Sequence, residues 1–131
     1  MATGTHAVVW IDRHEAKIVF VDHDGAEEVV VRPEHTRHHL HSKAGSHEGY
    51  RATADHVFYQ KVANDLADVR EFLVVGPAQA KIEFLKHLHR YDPRLIPRLS
   101  GVESIDHPTD GNLRAIARQY FKQADRMIPR P

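Results

Sequence analysis

Histidine is the residue type that stands out for chemistry. The chain holds twelve, and six of them, His35, His38, His39, His41, His47 and His56, fall between positions 35 and 56. Neutral imidazole is a good ligand for zinc or nickel, and His35, His38, His39 and His41 are the set from which such a site would be drawn. Glu34 and Glu48 are the nearby carboxylates and the chain has no cysteine, so no cofactor is expected. The same stretch suits anions. Arg32, Arg37, Lys43 and Arg51 outnumber Glu34 and Glu48 by two, and imidazoles with an ordinary pKa of about 6.5 add fractional, pH-sensitive positive charge. Arg37, His38, His39, His41, Lys43 and Arg51 are therefore candidates for salt-dependent contact with RNA phosphates.

A second basic pattern lies near the C-terminus. Arg114, Arg118, Lys122 and Arg126 recur every four residues, which places them along one drifting face of a helix, opposite Leu113, Ile116, Tyr120 and Phe121. Lys81 is a further candidate for anion contact, because it follows Gly76-Pro77 at the start of a helix, where backbone N–H groups are exposed. No Gly-x-x-x-x-Gly-Lys-Ser/Thr motif is present, so a tight strand-to-helix turn is the simpler reading. Nuclease chemistry needs carboxylates converging on two metal ions about 4 Å apart. Asp12, Asp55 and Asp106 are the acids available, and Asp12 beside Arg13 reads as a turn residue. No serine sits in a nucleophile-elbow context.

Composition narrows the classes. The chain has 131 residues, 41% hydrophobic and 27% charged, with 18 basic and 18 acidic residues. These are the proportions of a single globular domain. Zero net charge removes any bulk attraction to nucleic acid and leaves only local patches. The lack of cysteine excludes disulfides and thiol nucleophiles and fits a reducing cytoplasm. Ala7 to Ile11 is too short for a signal sequence or membrane span, so a cytoplasmic protein without a membrane partner is expected.

The elements that must position these residues follow from periodicity. His6 to Asp12 and Ala16 to Val21 read as strands, Asp24-Gly25 suits a tight hairpin turn with positive φ, and Glu27 to Val31 returns as a third strand. From Arg32 to about Ala54 the periodicity disappears, which predicts a long histidine-rich loop at about 33–54. Thr53 or Asp55 then caps a helix carrying Phe58, Val62, Leu66 and Val69. Glu71 to Val75 reads as a buried parallel strand ended by Gly76-Pro77. A helix from near Ala78 carries Ile82, Leu85 and Leu88 and stops before Pro93. Gly101 to Ile105 forms a last strand, and Asp110 to Met127 a last amphipathic helix. The expected class is α/β, a ribonuclease-H-like three-layer fold with order β-β-β-α-β-α-β-α, in which an antiparallel meander is followed by parallel crossovers.

Particular residues carry a family resemblance. Phe58-Tyr59-Gln60-Lys61-Val62-Ala63, Phe72-Leu73-Val74-Val75 and Gly76-Pro77-Ala78-Gln79-Ala80-Lys81-Ile82-Glu83-Phe84-Leu85 resemble the helix, strand and Gly-Pro-x-x-x-Lys-x-x-Phe turn of the middle, ribonuclease-H-like domain of archaeal and eukaryotic class-1 release factors and Pelota. Gly101-Val102-Glu103-Ser104-Ile105-Asp106-His107-Pro108-Thr109-Asp110-Gly111 looks like the tail of small bacterial proteins labelled translational machinery protein. Over nearly the whole chain, 1–131, the resemblance implies one such domain and a ribosome or structured RNA as partner. In release factors the loop before the first helix carries Gly-Gly-Gln, which positions water at the peptidyl-tRNA ester. Here the equivalent stretch, His38 to Arg51, has single glycines and no glutamine. The expectation is a non-catalytic binding module of the translation apparatus. The alternatives are a hydrolase acting on peptidyl-tRNA, a metal-dependent hydrolase, and a protein-interaction domain forming homo-oligomers through the edge of the meander.

Overall fold

A computed structural model describes residues 6–22, 25–33, 47–107 and 110–127, with side chains described for all of these except 47–53, 110–111 and 123–127. β1 (His6–Ile11), β2 (Ala16–Asp22) and β3 (Gly25–Val31) are followed by α1 (His47–Asp65), β4 (Glu71–Gly76), α2 (Ala80–Tyr91), a short 3₁₀ segment (Pro93–Arg98), β5 (Leu99–Ser104) and α3 (Asp110–Met127). The five strands form one sheet in the order β3-β2-β1-β4-β5. β1 pairs antiparallel with β2, and β2 with β3, while β4 runs parallel to β1 and β5 parallel to β4. This is the mixed sheet of the α/β, ribonuclease-H-like class.

β1 and β4 occupy the centre because their residues are apolar on both faces, as a strand covered on both sides requires. Ala7, Val9, Ile11, Phe72 and Val74 face one layer with Phe58, Val62, Leu66, Phe84 and Leu88 of α1, α2 and their connections. Val8, Trp10, Leu73 and Val75 face Leu113, Ala117 and Phe121 of α3. Burying a side chain of the size of Phe84 contributes roughly 1.5–3 kcal/mol, so both apolar faces of the central strands are covered by helices, α1 and α2 on one and α3 on the other.

The β1–β2 turn is set by Asp12. Its Oδ1 accepts the backbone N–H groups of His14 at 2.7 Å and Glu15 at 2.9 Å, and its own N–H donates to the Glu15 carbonyl at 3.0 Å. This is an Asx-type turn, and Asp12 holds the meander rather than standing ready for a metal. Asp12→Ala is expected to lower stability by about 1–2 kcal/mol, seen as a lower urea midpoint with unchanged slope, whereas Asp12→Asn keeps an acceptor and most of the stability.

Several boundaries depart from the sequence expectation. α1 begins at His47, so 47–54 is helical and the connection is shorter than the loop expected at about 33–54. Neither Thr53 nor Asp55 is a cap. His47-Glu48-Gly49 lacks the apolar spacing that marks a helix, so pattern alone begins too late. At its other end α1 stops at Asp65, and Leu66 and Val69 are buried in the following turn. In α2 the core stripe is Ala80, Phe84 and Leu88, with Ile82 exposed. β5 starts two residues earlier than expected because Leu99 pairs with Phe72. Gly25 opens β3 opposite Asp22, with φ +152°, and donates its N–H to Asp22 Oδ1 at 3.1 Å.

Candidate nucleic-acid interface

On α3, Leu113, Ala117 and Phe121 recur at four-residue spacing and are buried against the sheet, which leaves Arg114, Arg118 and Lys122 on the outer surface, all exposed. The side of the helix is fixed further by Tyr120, whose hydroxyl lies 3.3 Å from Ser100 Oγ of β5 and whose ring meets Phe121 edge-on. The three basic residues are not equivalent. Arg114 Nε lies 3.8 Å from Oε1 of Glu28 on β3, a carboxylate only 8% exposed. Arg114 therefore offsets a buried charge as well as facing solvent. Arg126 lies on the same helix, outside the described side chains.

The opposite layer carries a second polar cluster where α1 meets α2. Gln60 Nε2 donates to Asn64 Oδ1 at 3.0 Å, which turns Gln60 Oε1 toward His87 Nε2, also at 3.0 Å. With an amide oxygen as its partner, His87 Nε2 is the protonated nitrogen in this network. The rings of His56 and Tyr91 lie 4.9 Å from that of His87, and His56 meets Tyr91 edge-on at 4.6 Å. The Arg90 guanidinium sits 5.4 Å from the Tyr91 ring centre. Tyr59 is half-buried beside this group, 5.8 Å from His87. Its hydroxyl is pushed up to about 12 by burial, then by Asp55 and Glu83, with Arg13 opposing.

His87 is 6% exposed, and burial, reinforced by the nearby His56 and opposed by Asp92, holds its pKa below the ordinary 6.5. The folded chain refuses a proton that the unfolded chain accepts. The contribution to stability is thus complete above pH 6.5 and is lost as pH falls from there through the lowered folded value. Chemical denaturation at stepped pH is expected to show this decline, and His87→Gln to flatten it.

The third feature is the rim where β1, β4 and β5 end. Trp10 Nε1 donates to the carbonyls of Ile105 at 3.3 Å and Asp106 at 3.2 Å, and its ring packs against His107 at 5.0 Å. Gly76 has φ +149° and Ala78 φ +54°, so the chain turns sharply from β4 into α2. Lys81 is 8% exposed and its ammonium donates to the Ala78 carbonyl at 2.8 Å. It faces the turn, as its sequence position suggested, but its charge is spent on the backbone and little of it is presented to a phosphate. No group of three or more histidine or acidic side chains able to hold a metal occurs among the described residues, so the carboxylate set of a two-metal nuclease is not assembled there.

Of the other sequence candidates, His35, Arg37, His38, His39, His41 and Lys43 lie outside the described residues, and Arg51 lies in α1 with its side chain undescribed. The seam of His56, Gln60, His87, Arg90 and Tyr91 was not singled out from sequence. Its only local signals are the four-residue spacings of His56 with Gln60 and of His87 with Tyr91. No helix among the described residues is long and apolar enough to cross a membrane.

No protein-family model and no curated protein matches the chain. Solved structures do. Pelota of Archaeoglobus fulgidus superposes with a TM-score of 0.60 at 18% identity, over 90% of this chain and 32% of that one. The archaeal translation termination factor aRF1 gives 0.60 at 17% identity, over 93% of this chain and 38% of that one. Pelota of Thermoplasma acidophilum gives 0.54 at 17% identity, over 92% and 32%. The chain thus spans about a third of the length of these proteins and shares their fold over that part, in agreement with the resemblance carried by the Gly76-Pro77 turn and its neighbours.

Proposed function

We propose that the chain is a non-catalytic binding module of the translation apparatus that contacts ribosomal or transfer RNA through the outer face of α3. The observation that carries this reading is the separation of Arg114, Arg118 and Lys122, all exposed, from Leu113, Ala117 and Phe121, all buried. A basic stripe held outward on a packed helix supplies phosphate contacts without base readout. Two further points support it. The fold is shared with a translation termination factor and with Pelota, and the stretch His38 to Arg51 contains no glutamine with which to position a hydrolytic water. A cytoplasmic location goes with this role.

Cosedimentation with ribosomes tests it. Binding is expected at about 50 mM monovalent salt and should fall steeply by about 200 mM, because each phosphate contact releases counterions. Folded protein that stays in the supernatant at low salt would overturn the reading.

A further inference from the structure

We propose that β3, the open edge of the meander, pairs antiparallel with β3 of a second copy of this chain, so that two domains share one continuous sheet. The inference goes beyond the RNA-contact reading and does not depend on it, since it concerns the sheet edge rather than the outer face of α3.

β3 is an end strand of the order β3-β2-β1-β4-β5, and an end strand presents a row of backbone N–H and C=O groups that no other strand of its sheet meets. The two ends of this sheet differ. The register of β5 with β4 shifts between Phe72 and Leu73, and an irregularity of that kind blunts an edge. β3 keeps an unbroken register with β2 from Gly25 to Val31 and contains neither lysine nor proline. It also leaves Val30 42% exposed. Beside this edge runs a groove of about 390 Å3, lined by residues 29–32 and by Lys61, Asn64 and Asp65 of α1. Val57 stands one turn before Lys61 on the same side of α1 and is 38% exposed.

Self-complementarity identifies the occupant, because a two-fold interface sets one patch against itself. An antiparallel pair about a two-fold axis places a central residue opposite its own copy. With Val30 at the centre, the two exposed valines meet on the α3 side, and Val29 lies opposite Val31 of the partner subunit on the α1 side. The same register sets Arg32 opposite Glu28 of the partner subunit, and opposite charges across a strand pair favour the pairing. The helix layer agrees. Strands lie about 4.8 Å apart and packed helices about 8–10 Å, so each helix covers about two strands. α2 contacts β1 and β4, and α1 contacts β3. A second α1, antiparallel to the first, therefore takes the next place across the groove. Lys61 then faces Asp65 of the partner subunit, and symmetry repeats the pair. Burial already holds the Asp65 carboxyl above its ordinary range, so a cation brought against it is stabilising. A strand from an unrelated protein has no reason to reproduce this double exchange. The axis runs perpendicular to the sheet, so both α3 helices lie on one face, and their exposed Arg118 and Lys122 side chains form a joint basic surface.

The test is sedimentation-velocity centrifugation of the intact chain over a wide range of concentrations, where a reversible dimer is expected. Val30→Lys places two like charges opposite each other and should raise the dimer dissociation constant roughly tenfold or more. Val102→Lys, at a valine 38% exposed on β5, should leave it unchanged. Lys61→Glu and Asp65→Lys should each weaken the dimer, and the two changes combined should restore it, since the exchanged charges again face each other. All four positions are exposed, and wild-type urea midpoints at low protein concentration verify that the fold is kept. A chain that stays monomeric overturns the pairing, as does a Val30→Lys variant that dimerises as tightly as wild type. A double charge exchange no tighter than its single parents overturns it too, and so do open-ended oligomers, which a closed two-fold contact forbids. A monomer whose edge instead takes an added extended peptide of unrelated sequence, in a manner that Val30→Lys abolishes, gives the edge to another occupant and equally overturns it. Failure here leaves the α3 contact standing, and failure of ribosome cosedimentation leaves the dimer standing.

Discussion

Replacing Gly76 with alanine is expected to lower the stability of the domain by about 3 kcal/mol or more, read as a fall in Tm of roughly 10 °C. Two independent costs combine. The residue has φ +149°, a conformation that L side chains rarely adopt, and an added Cβ would lie 2.3 Å from the carbonyl oxygen of Ile11. That oxygen belongs to the backbone of the central strand β1 and cannot swing away as a side-chain tip can. On its other side Gly76 pairs with Ser104 of β5, and its carbonyl accepts the Ile105 N–H at 3.3 Å. A methyl group there must push β1 away from β4 or break the β4–β5 register, and both strands lie in the core. Gly25 supplies the control. Its φ of +152° is nearly the same, but an added Cβ would meet nothing within 4 Å, so Gly25→Ala should cost only about 1 kcal/mol of backbone strain. Thermal denaturation of both variants separates the two costs. Equal losses would mean that the close approach to Ile11 contributes nothing.

The same turn shows why this part of the fold was legible in the sequence. A run of apolar residues that ends in Gly-Pro can hardly be continued as either strand or helix, so Phe72 to Gly76 announces both a buried strand and its end. The strands β1 to β3 were legible for a similar reason, since short runs of β-branched residues and a turn residue such as Asp12 are local properties, while Asp24 of the expected Asp24-Gly25 turn lies outside the described residues and Gly25 already belongs to β3. α1 was harder. Its first turns, His47 to Thr53, carry only Tyr50 and Ala52 as apolar residues, and Gly49 weakens the helical preference, so nothing in the pattern separates them from the loop before. Ile82 misled for another reason. Hydrophobicity counts it toward the core, but the faces of α2 are chosen by what the sheet needs, and Phe84 and Leu88 fill that space.

The candidate interfaces divide along the same line. The stripe on α3 was legible because its residues share one helix, and four-residue spacing is enough to place them on one face. The seam of His56, Gln60, His87 and Tyr91 was not, because its halves stand about thirty residues apart and meet only once α1 and α2 lie side by side on one face of the sheet. In the sequence His56 belonged to the histidine-rich stretch. In the fold it is a helical residue facing a partner that no local pattern names. Glu28 shows the same limit. In sequence it is one of two acids on an exposed edge strand, and only the docking of α3 turns it into a buried carboxylate beside Arg114.

The proximity of Arg114 to Glu28 determines how the basic face of α3 should be tested. Neutralising Arg114, Arg118 and Lys122 together would confound two effects, because Arg114→Gln weakens the compensation of the buried Glu28 carboxylate and should cost about 1 kcal/mol of stability on its own. Arg118 and Lys122 carry no such role among the described residues, and both are exposed. The double variant Arg118→Gln, Lys122→Gln is therefore expected to fold with wild-type stability and to bind RNA about tenfold more weakly at low salt. Its plot of log affinity against log salt concentration should be shallower by about 1 for each phosphate that the variant no longer neutralises. The slope is the sharper readout. A general drop in affinity follows from many kinds of damage, whereas a reduced salt slope at unchanged stability follows only from fewer displaced counterions. A double variant with the wild-type slope would remove α3 from the interface, and an Arg114→Gln variant that loses stability but not slope would assign Arg114 to the fold alone.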